Sequence, residues 1–359
     1  MPQVEAWQKV FINGKQFPAS LHSRFGCITC HGGKSGVDSM EAHEGVVREP
    51  DSQKACAPCH REIVTTDATS LHTTLAGYRT ALYARSTPDK YPQIEQVMAN
   101  HCDKCHTTCG QCHVSMPTNL DGGLLQGHDF KKIPPMNLTC TGCHGSRIND
   151  EYKGENEGIP ADVHWQKAGM PCFRCHSEEQ AHGALGEKKH RYDGPPTPDC
   201  RECHTDVKPG DGIAQHTEKH LELLACQVCH ATTYKNCYSC HVAQQDGIPY
   251  YKIAKTVMDF KIGLNPLRSP ERPWKYVVVR HVPIAPDDYE YYGKDLLPNY
   301  DALPTWKYAT PHNIQRVTPQ NQSCTNCHGN PDIFLTEKDL LPYEVKANEG
   351  VVVKEIPGF

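Results

Sequence analysis

Cys102-Asp103-Lys104-Cys105-His106-Thr107-Thr108-Cys109-Gly110-Gln111-Cys112-His113 decides how this chain is to be read. It holds two Cys-x-x-Cys-His units whose first cysteines are 7 residues apart. In such a unit one helical turn brings two thiols to one side, and the next residue sets an imidazole beside them. Outward from this pair the same unit recurs at Cys27/Cys30/His31, Cys56/Cys59/His60, Cys140/Cys143/His144 and Cys172/Cys175/His176. It returns at Cys200/Cys203/His204, Cys226/Cys229/His230, Cys237/Cys240/His241 and Cys324/Cys327/His328, so ten units use all 20 Cys.

Structural zinc sites, disulfide frameworks and thioredoxin-like redox sites also use Cys-x-x-Cys, but none of them requires His in the fifth place. With 22 His in 359 residues, ten coincidences would have odds on the order of one in 10¹². The spacing is that of c-type haem attachment. Two thiols one turn apart reach the two vinyl groups of one porphyrin, and the following imidazole meets the iron from the same side. Ten covalently attached haem c groups are predicted, anchored by the twenty cysteines, with His31, His60, His106, His113, His144, His176, His204, His230, His241 and His328 as proximal ligands.

Twelve further histidines remain, against only 7 Met. Bis-histidine ligation at every iron is therefore predicted, and it closes the irons to substrate and keeps their potentials low. The predicted distal ligands are His22, His43, His72, His128, His164, His182, His216, His220, His281 and His312. His22, His164 and His220 lie a few residues before a motif, and His216 and His220, four apart, share a helical face and can serve two irons. His101 is set aside because it directly precedes Cys102, and His190 because Lys188-Lys189-His190-Arg191 is a solvated basic loop.

Composition agrees with such a chain. Hydrophobic residues make up 38%, aromatic residues 8%, and the mean hydropathy is -0.62, which is little for a polypeptide core. The missing core is expected to be porphyrin, so the apoprotein is not expected to fold without haem. No apolar run approaches the length of a membrane span. Haem c is attached outside the cytoplasm, so an extracytoplasmic, extracellular or cell-surface location is expected. The opening Met1-Pro2-Gln3-Val4-Glu5 reads as a mature form after signal-peptide removal. The formal charge of -5 falls to roughly -15 with ten ferric haems and their propionates, which disfavours nucleic acid and favours cationic redox partners.

Motif starts are separated by 29, 46, 7, 31, 32, 28, 26, 11 and 87 residues. The regular run from Cys109 to Cys226 is a haem-by-haem array, and the spacings of 7 and 11 imply close haem pairs. The predicted fold is a multihaem cytochrome c, mostly irregular, with short α-helices and a few short β-strands wrapped around a haem array. Its segments are a four-haem part over residues 1–125, a five-haem part over 126–241, a haem-free arm over 242–323 and a last haem segment with a strand over 324–359. The arm, rich in Tyr and Trp, is expected to wrap haem edges or to form a subunit contact. Residues 10–17 predict a hairpin, and residues 276–284 and 351–356 predict strands.

On its motifs, above all 101–113 and 225–241, the chain resembles the multihaem c-type cytochromes of metal-respiring prokaryotes, including extracellular members that polymerise into conductive filaments. The likeness spans residues 22–328. It implies long-range extracellular electron transfer to acceptors such as ferric oxides, exchange with redox partner proteins, and assembly of copies into a filament with an iron shared between neighbours. The competing expectation is a multihaem reductase of nitrite, hydroxylamine or tetrathionate with one open or Lys-ligated iron. No Cys-x-x-Cys-Lys unit is present.

Overall fold

Each Cys-x-x-Cys-His unit described below closes the single turn that its spacing asks for. The amides of His60, His144, His176 and His204 donate to the carbonyl of the first cysteine of their motif at 2.9 Å, and His328 does so at 2.8 Å. Cys27–His31, Cys109–His113 and Cys226–His230 are α-helical turns, whereas Cys172–Arg174, Cys200–Glu202 and Cys324–Asn326 are 3₁₀ turns. The computed structural model describes residues 5–12, 14–103, 107–117, 120–125, 127–184, 192–193, 196–237, 241–246, 248–251 and 257–358, with backbone alone at 16, 241–245 and 248–251.

Other helices are short because polar caps and glycines keep stopping and restarting them. Asp38, Asp51, Ser70, Asp162, Ser177 and Thr217 each accept a first-turn amide with the side chain, the usual way a helix start is satisfied. Gly154 and Gly169 end theirs in the left-handed region at φ 72° and 58°, which costs glycine little. The longest described helices, Ala57–Asp67 and Tyr91–His101, have 11 residues each.

The chain forms two compact units, each assembled from separated stretches. Unit 1 comprises Met1–Gly77, Cys102–His144 and Cys172–Pro195; unit 2 comprises Tyr78–His101, Gly145–Pro171 and Pro196–Phe359. Six motifs fall in unit 1 and four in unit 2. The units cut across the boundaries expected at 125, 241 and 323.

Unit 1 has almost no apolar interior. Among the described residues its buried apolar side chains are Val64, Leu75, Ala76, Leu125 and Met136. Unit 2 has a true core. There Ile262–Leu264, Tyr276–His281 and Trp306–Tyr308 form an antiparallel three-stranded sheet, with Ile262 opposite Val278 and Arg280 opposite Lys307. Val277, Val278 and Val279 are all fully buried, so the central strand is covered on both faces and needs no polar alternation. Ala225, Val228, Tyr234, Phe334, Leu335 and Val351 to Val353 pack on it. A Cβ on Gly263 would come within 2.9 Å of Val279, so the close approach of these strands requires glycine there.

Most of the described aromatic residues of the haem-free arm are covered by other parts of the chain. Tyr289 and Trp306 are buried, and Trp274, Tyr276, Tyr292, Tyr300 and Tyr308 are partly covered; among the arm's described aromatics only Tyr291 is largely exposed. The strand expected over 276–284 is present as Tyr276–His281. Residues 351–353 lie beside Ile262–Leu264, with Leu264 N donating to Val351 O at 2.8 Å, but Val351 and Val352 form a turn and bend whose amides donate to Asn348 O. They pair too sparsely to form the strand expected at 351–356. The N-terminal hairpin expected over 10–17 gives way to helical turns at Ala6–Lys9 and Gln16–Ala19; Asn13 of that turn lies outside the described residues.

The polypeptide exposes 20,920 Å². A single folded protein of 40.2 kDa exposes about 14,500 Å², and two separate bodies of half that mass about 17,400 Å². The polypeptide thus leaves several thousand Å² more of its own surface uncovered than its mass alone calls for. The core of unit 2 refines the expectation that nothing folds without haem. In haem-free protein, limited proteolysis is expected to spare a fragment spanning the sheet and the 324–358 tail while digesting unit 1. Within that core, Leu335→Ala is expected to cost about 2–4 kcal/mol, read as a lowered melting temperature of the holoprotein.

Candidate haem centres

Counted in chain order, the ten motifs define centres 1 to 10. Among the described residues, seven motif imidazoles each face one histidine from outside the motifs across a gap of nearly constant width. Ring centroids are 5.9 Å apart for His31/His128, 6.2 Å for His60/His22, 6.0 Å for His113/His182 and 6.2 Å for His144/His72. In unit 2 they are 6.0 Å for His204/His164, 6.4 Å for His230/His216 and 5.9 Å for His328/His220. Two metal–nitrogen bonds of about 2.0 Å, each continued by about 1.15 Å to a ring centroid, total about 6.3 Å. The gap is the width of one iron held between two imidazoles.

Hydrogen bonds turn the rings so that Nε2 faces the gap. His31 Nδ1 donates to Val47 O at 2.8 Å, His230 Nδ1 to Gln315 O at 3.0 Å and His328 Nδ1 to Gly358 O at 2.7 Å. Among the distal rings, His72 donates to Ala181 O at 3.0 Å and His220 to Gln215 O at 2.8 Å. Carboxylates take the same place beneath His164, on Asp162 at 2.8 Å, and His216, on Asp211 at 2.6 Å. Such partners fix the tautomer of a metal-binding histidine and raise its basicity. Asp162 and Asp211 were not singled out from sequence, although an acidic residue two or five places before a candidate histidine is a usable signal.

Electrostatics favours neutral rings, the ligating form. Burial lowers the pKa of His22, helped by His60, and burial likewise lowers those of His128 and His230. The His216 hydrogen bond holds Asp211 below the usual carboxylate range.

The remaining histidines sit as follows. His281 corrects the sequence expectation: its Nε2 lies 2.7 Å from Oε1 of the fully buried Glu344, and its ring stacks on Trp306. Its ligating nitrogen is engaged. His43 is exposed with Nδ1 on Ser39 O, and the His312 amide donates to Glu151 at 3.0 Å. His176 is exposed with Nδ1 on Gln180 Oε1 at 2.9 Å. Cys105, His106, Cys240 and His190 lie outside the described residues, as does the side chain of His241. His101 has Nε2 on the Tyr292 hydroxyl.

The cysteines expected to anchor haem divide by exposure. The second thiols of centres 2, 6 and 7, on Cys59, Cys175 and Cys203, are exposed, whereas Cys30 and Cys143 are half-buried. Cys112 and Cys229 are set deeper, and burial pushes both thiols up to about 12. The motif turn places each second cysteine. The amides of Cys59, Cys175 and Cys203 donate to the carbonyl of their first cysteine at 3.1, 3.2 and 3.3 Å, and Cys30 and Cys143 lie in the turns Cys27–His31 and Cys140–Cys143. A motif turn at the protein surface leaves its second thiol in or near solvent. For all twenty motif cysteines, Cys30, Cys59, Cys143, Cys175 and Cys203 among them, the anchoring role is a proposal that rests on the motif chemistry.

Neighbouring centres touch through identifiable groups. In unit 1, Phe130 lies against His128 of centre 1 and His22 of centre 2. A thiol hydrogen bond joins Cys56 of centre 2 to Cys109 of centre 4, holding Cys109 down to about 6. The same bond, with burial and the nearby Cys30 of centre 1, pushes the Cys56 thiol up. The bond from His72 to Ala181 joins centre 5 to the residue beside His182 of centre 4. Cys140 of centre 5 meets Cys172 of centre 6 in the same way as the first thiol pair. In unit 2, Cys200 of centre 7 meets Cys226 of centre 8. His216 and His220, four residues apart, then join centre 8 to centre 10, and Thr318 and Asn321 bind Cys229 O between them. The contacts run 1–2–4–5–6 in one unit and 7–8–10 in the other.

The donor set fits haem c. Paired thiols stand one turn from an imidazole, and at seven centres a second imidazole opposes it at iron width. Among the described residues no three His, Cys, Asp or Glu side chains converge as a protein-held metal ion needs. No family model, no curated protein and no solved structure matches the chain.

The angle between ligand planes governs the magnetic anisotropy of low-spin ferric iron, and the pairs range from near-parallel to crossed, with His220/His328 between the two at 37°. Planes are near-parallel at 23° for His22/His60 and 16° for His113/His182. They are crossed at 62° for His31/His128, 83° for His72/His144, 67° for His164/His204 and 63° for His216/His230. Low-temperature electron paramagnetic resonance of the oxidised holoprotein is expected to show both a rhombic family and a strongly anisotropic one; one uniform family would refute these geometries. Asp211→Asn is expected to raise the midpoint potential of a single centre, because His216 loses its anionic partner.

Proposed function

We propose that this protein is a decahaem c-type cytochrome that conducts electrons outside the cytoplasm, from a low-potential donor to external acceptors such as ferric oxides or cationic redox proteins. The observation that carries the reading is the set of opposed imidazoles at iron width. Haem c held there supplies one-electron ferric/ferrous chemistry, with each electron gained at one iron lost at another and no substrate bond made or broken. The residues of the chain do the rest. Two axial imidazoles leave no position for a substrate, and Nδ1 hydrogen bonds lock most of the rings so that little rearranges when the charge of the iron changes.

The arrangement of centres supports conduction. Contacts link centres along 1–2–4–5–6 and along 7–8–10 without a gap wider than one side chain or one hydrogen bond. Both cysteines are shielded at centres 4, 5 and 8, whereas centres 1, 6, 7 and 10 at the run ends each present an exposed cysteine, as does centre 2. Shielded interiors and open ends suit a path that exchanges electrons with partners at its termini. Among the described residues no helix is long and apolar enough to cross a membrane. The conduit is proposed for the chain by itself, since the arm aromatics that would have anchored a subunit contact are largely covered.

A potentiometric titration of the purified holoprotein is expected to show ten electrons taken up over a broad range of low potentials, with no high-spin ferric band. Ferric oxide particles are expected to reoxidise the reduced protein. A high-spin signal accompanied by nitrite-, hydroxylamine- or tetrathionate-dependent reoxidation would replace the conduit with the reductase.

A further inference from the structure

Most distal imidazoles are oriented by a hydrogen bond at Nδ1: His72 by Ala181, His164 by Asp162, His216 by Asp211 and His220 by Gln215. His22, His128 and His182 are different. The Nδ1 atoms of His128 and His182 are buried with no hydrogen-bond partner among the described residues, and none is described for Nδ1 of His22. A ring on a single Cβ–Cγ bond spins easily unless something else holds it.

Phe130 supplies that hold for His22 and His128. Its ring stacks on His22 at a centroid distance of 3.9 Å and 15°, and meets His128 edge-on at 5.4 Å and 69°. Phe17 closes the other side of His128 at 4.8 Å and 74°. The backbone adds its own constraint. Gly127 and His128 are both left-handed, at φ 59° and 69°, a strained setting for a residue with a Cβ that persists where surroundings over-determine it. The bend turns the chain so that His128 faces His31 while Phe130, two residues on, reaches His22. Such aromatic contacts contribute geometry-specific attraction beyond burial.

We propose that Phe130 is a positioning residue shared by centres 1 and 2, fixing the planes of His128 and His22 in place of the missing hydrogen bonds and thereby setting the ligand-plane angle at two irons at once. The inference rests on the haem reading above. It makes the first two centres a coupled pair: one side chain governs a near-parallel site, at 23°, and a crossed site, at 62°.

The test is electron paramagnetic resonance and potentiometry of ferric holoprotein carrying Phe130→Leu. One rhombic signal and one strongly anisotropic signal are expected to shift or broaden, together with the midpoint potentials of two centres, while the other signals stay in place. Phe130→Tyr, which keeps the ring, is expected to restore the original spectrum, and Tyr291→Leu, at an exposed aromatic, to leave it unchanged. If F130L does not accumulate with ten haems, Phe130→Trp takes its place and is expected to move the same two signals. A spectrum of F130L, or of F130W in its place, that superimposes on the unsubstituted protein, or losses spread evenly over all signals, would overturn the role of Phe130. An unsubstituted protein without low-spin bis-imidazole signals would instead overturn the assignment of the centres themselves.

Discussion

The constraint on which the structure turns is the opposition of two imidazoles across about 6.3 Å. Each pair ties a motif histidine to one distant in sequence: His31 to His128, His60 to His22, His328 to His220. On the proposed haem reading, these pairs stand where a hydrophobic core would otherwise hold segments together. Unit 1, with five buried apolar side chains among its described residues, has little besides them. Its short helices are punctuated by caps and glycines because they serve as struts between ligands and carry no packed apolar face of their own.

Unit 2 mixes two strategies. Its centres obey the same pairing, but the sheet at 262–308 and the tail at 351–353 form an apolar interior that owes nothing to porphyrin. Buried polar residues pin it. Arg85, fully buried, donates to Tyr300 O at 2.9 Å and to Leu303 O at 2.8 Å, and Glu151 receives Arg280 and the His312 amide. A buried charge is tolerable when its hydrogen bonds are satisfied. The Glu344–His281 pair belongs to this interior, which is why a histidine that resembles a ligand in the sequence serves the core in the fold.

Motif turns were legible because covalent geometry ties five consecutive residues together. How far each thiol lies from solvent was not: Cys59 and Cys112 hold the same place in the same motif, yet one is exposed and the other half-buried. The pairing of the opposed histidines was not legible: His216 lies outside the helix Glu218–Leu223 that carries His220, so a shared helical face does not account for the two, and nothing local marks His128 as facing His31. The arm misled because Tyr and Trp density does not tell an interface from a core. Val277-Val278-Val279, an unbroken apolar run inside it, was the better sign of a strand covered on both faces. The apolar segment 351–353 read as a strand but forms a turn and bend, and what its backbone meets, Leu264 and Leu335, lies elsewhere in the sequence. Compact units stitched from separated stretches leave no trace in composition, so the boundaries drawn from motif spacing fell elsewhere.

Interleaving has a consequence for how such a protein can change. The chain passes from one unit to the other at residues 77, 101, 144, 171 and 195, and centres that touch are not always consecutive in sequence: centre 2 meets centre 4, and centre 8 meets centre 10. A protein built of tandem repeats lengthens by copying one module, because each module contacts only its neighbours. Here a copied motif would arrive without its opposed histidine wherever that residue lies on another stretch, as at His31/His128, His113/His182, His144/His72 and His204/His164. On the proposed haem reading, haem number is therefore harder to alter by duplication at those four centres than at the motifs of His60, His230 and His328, whose opposed histidines lie on the same stretch.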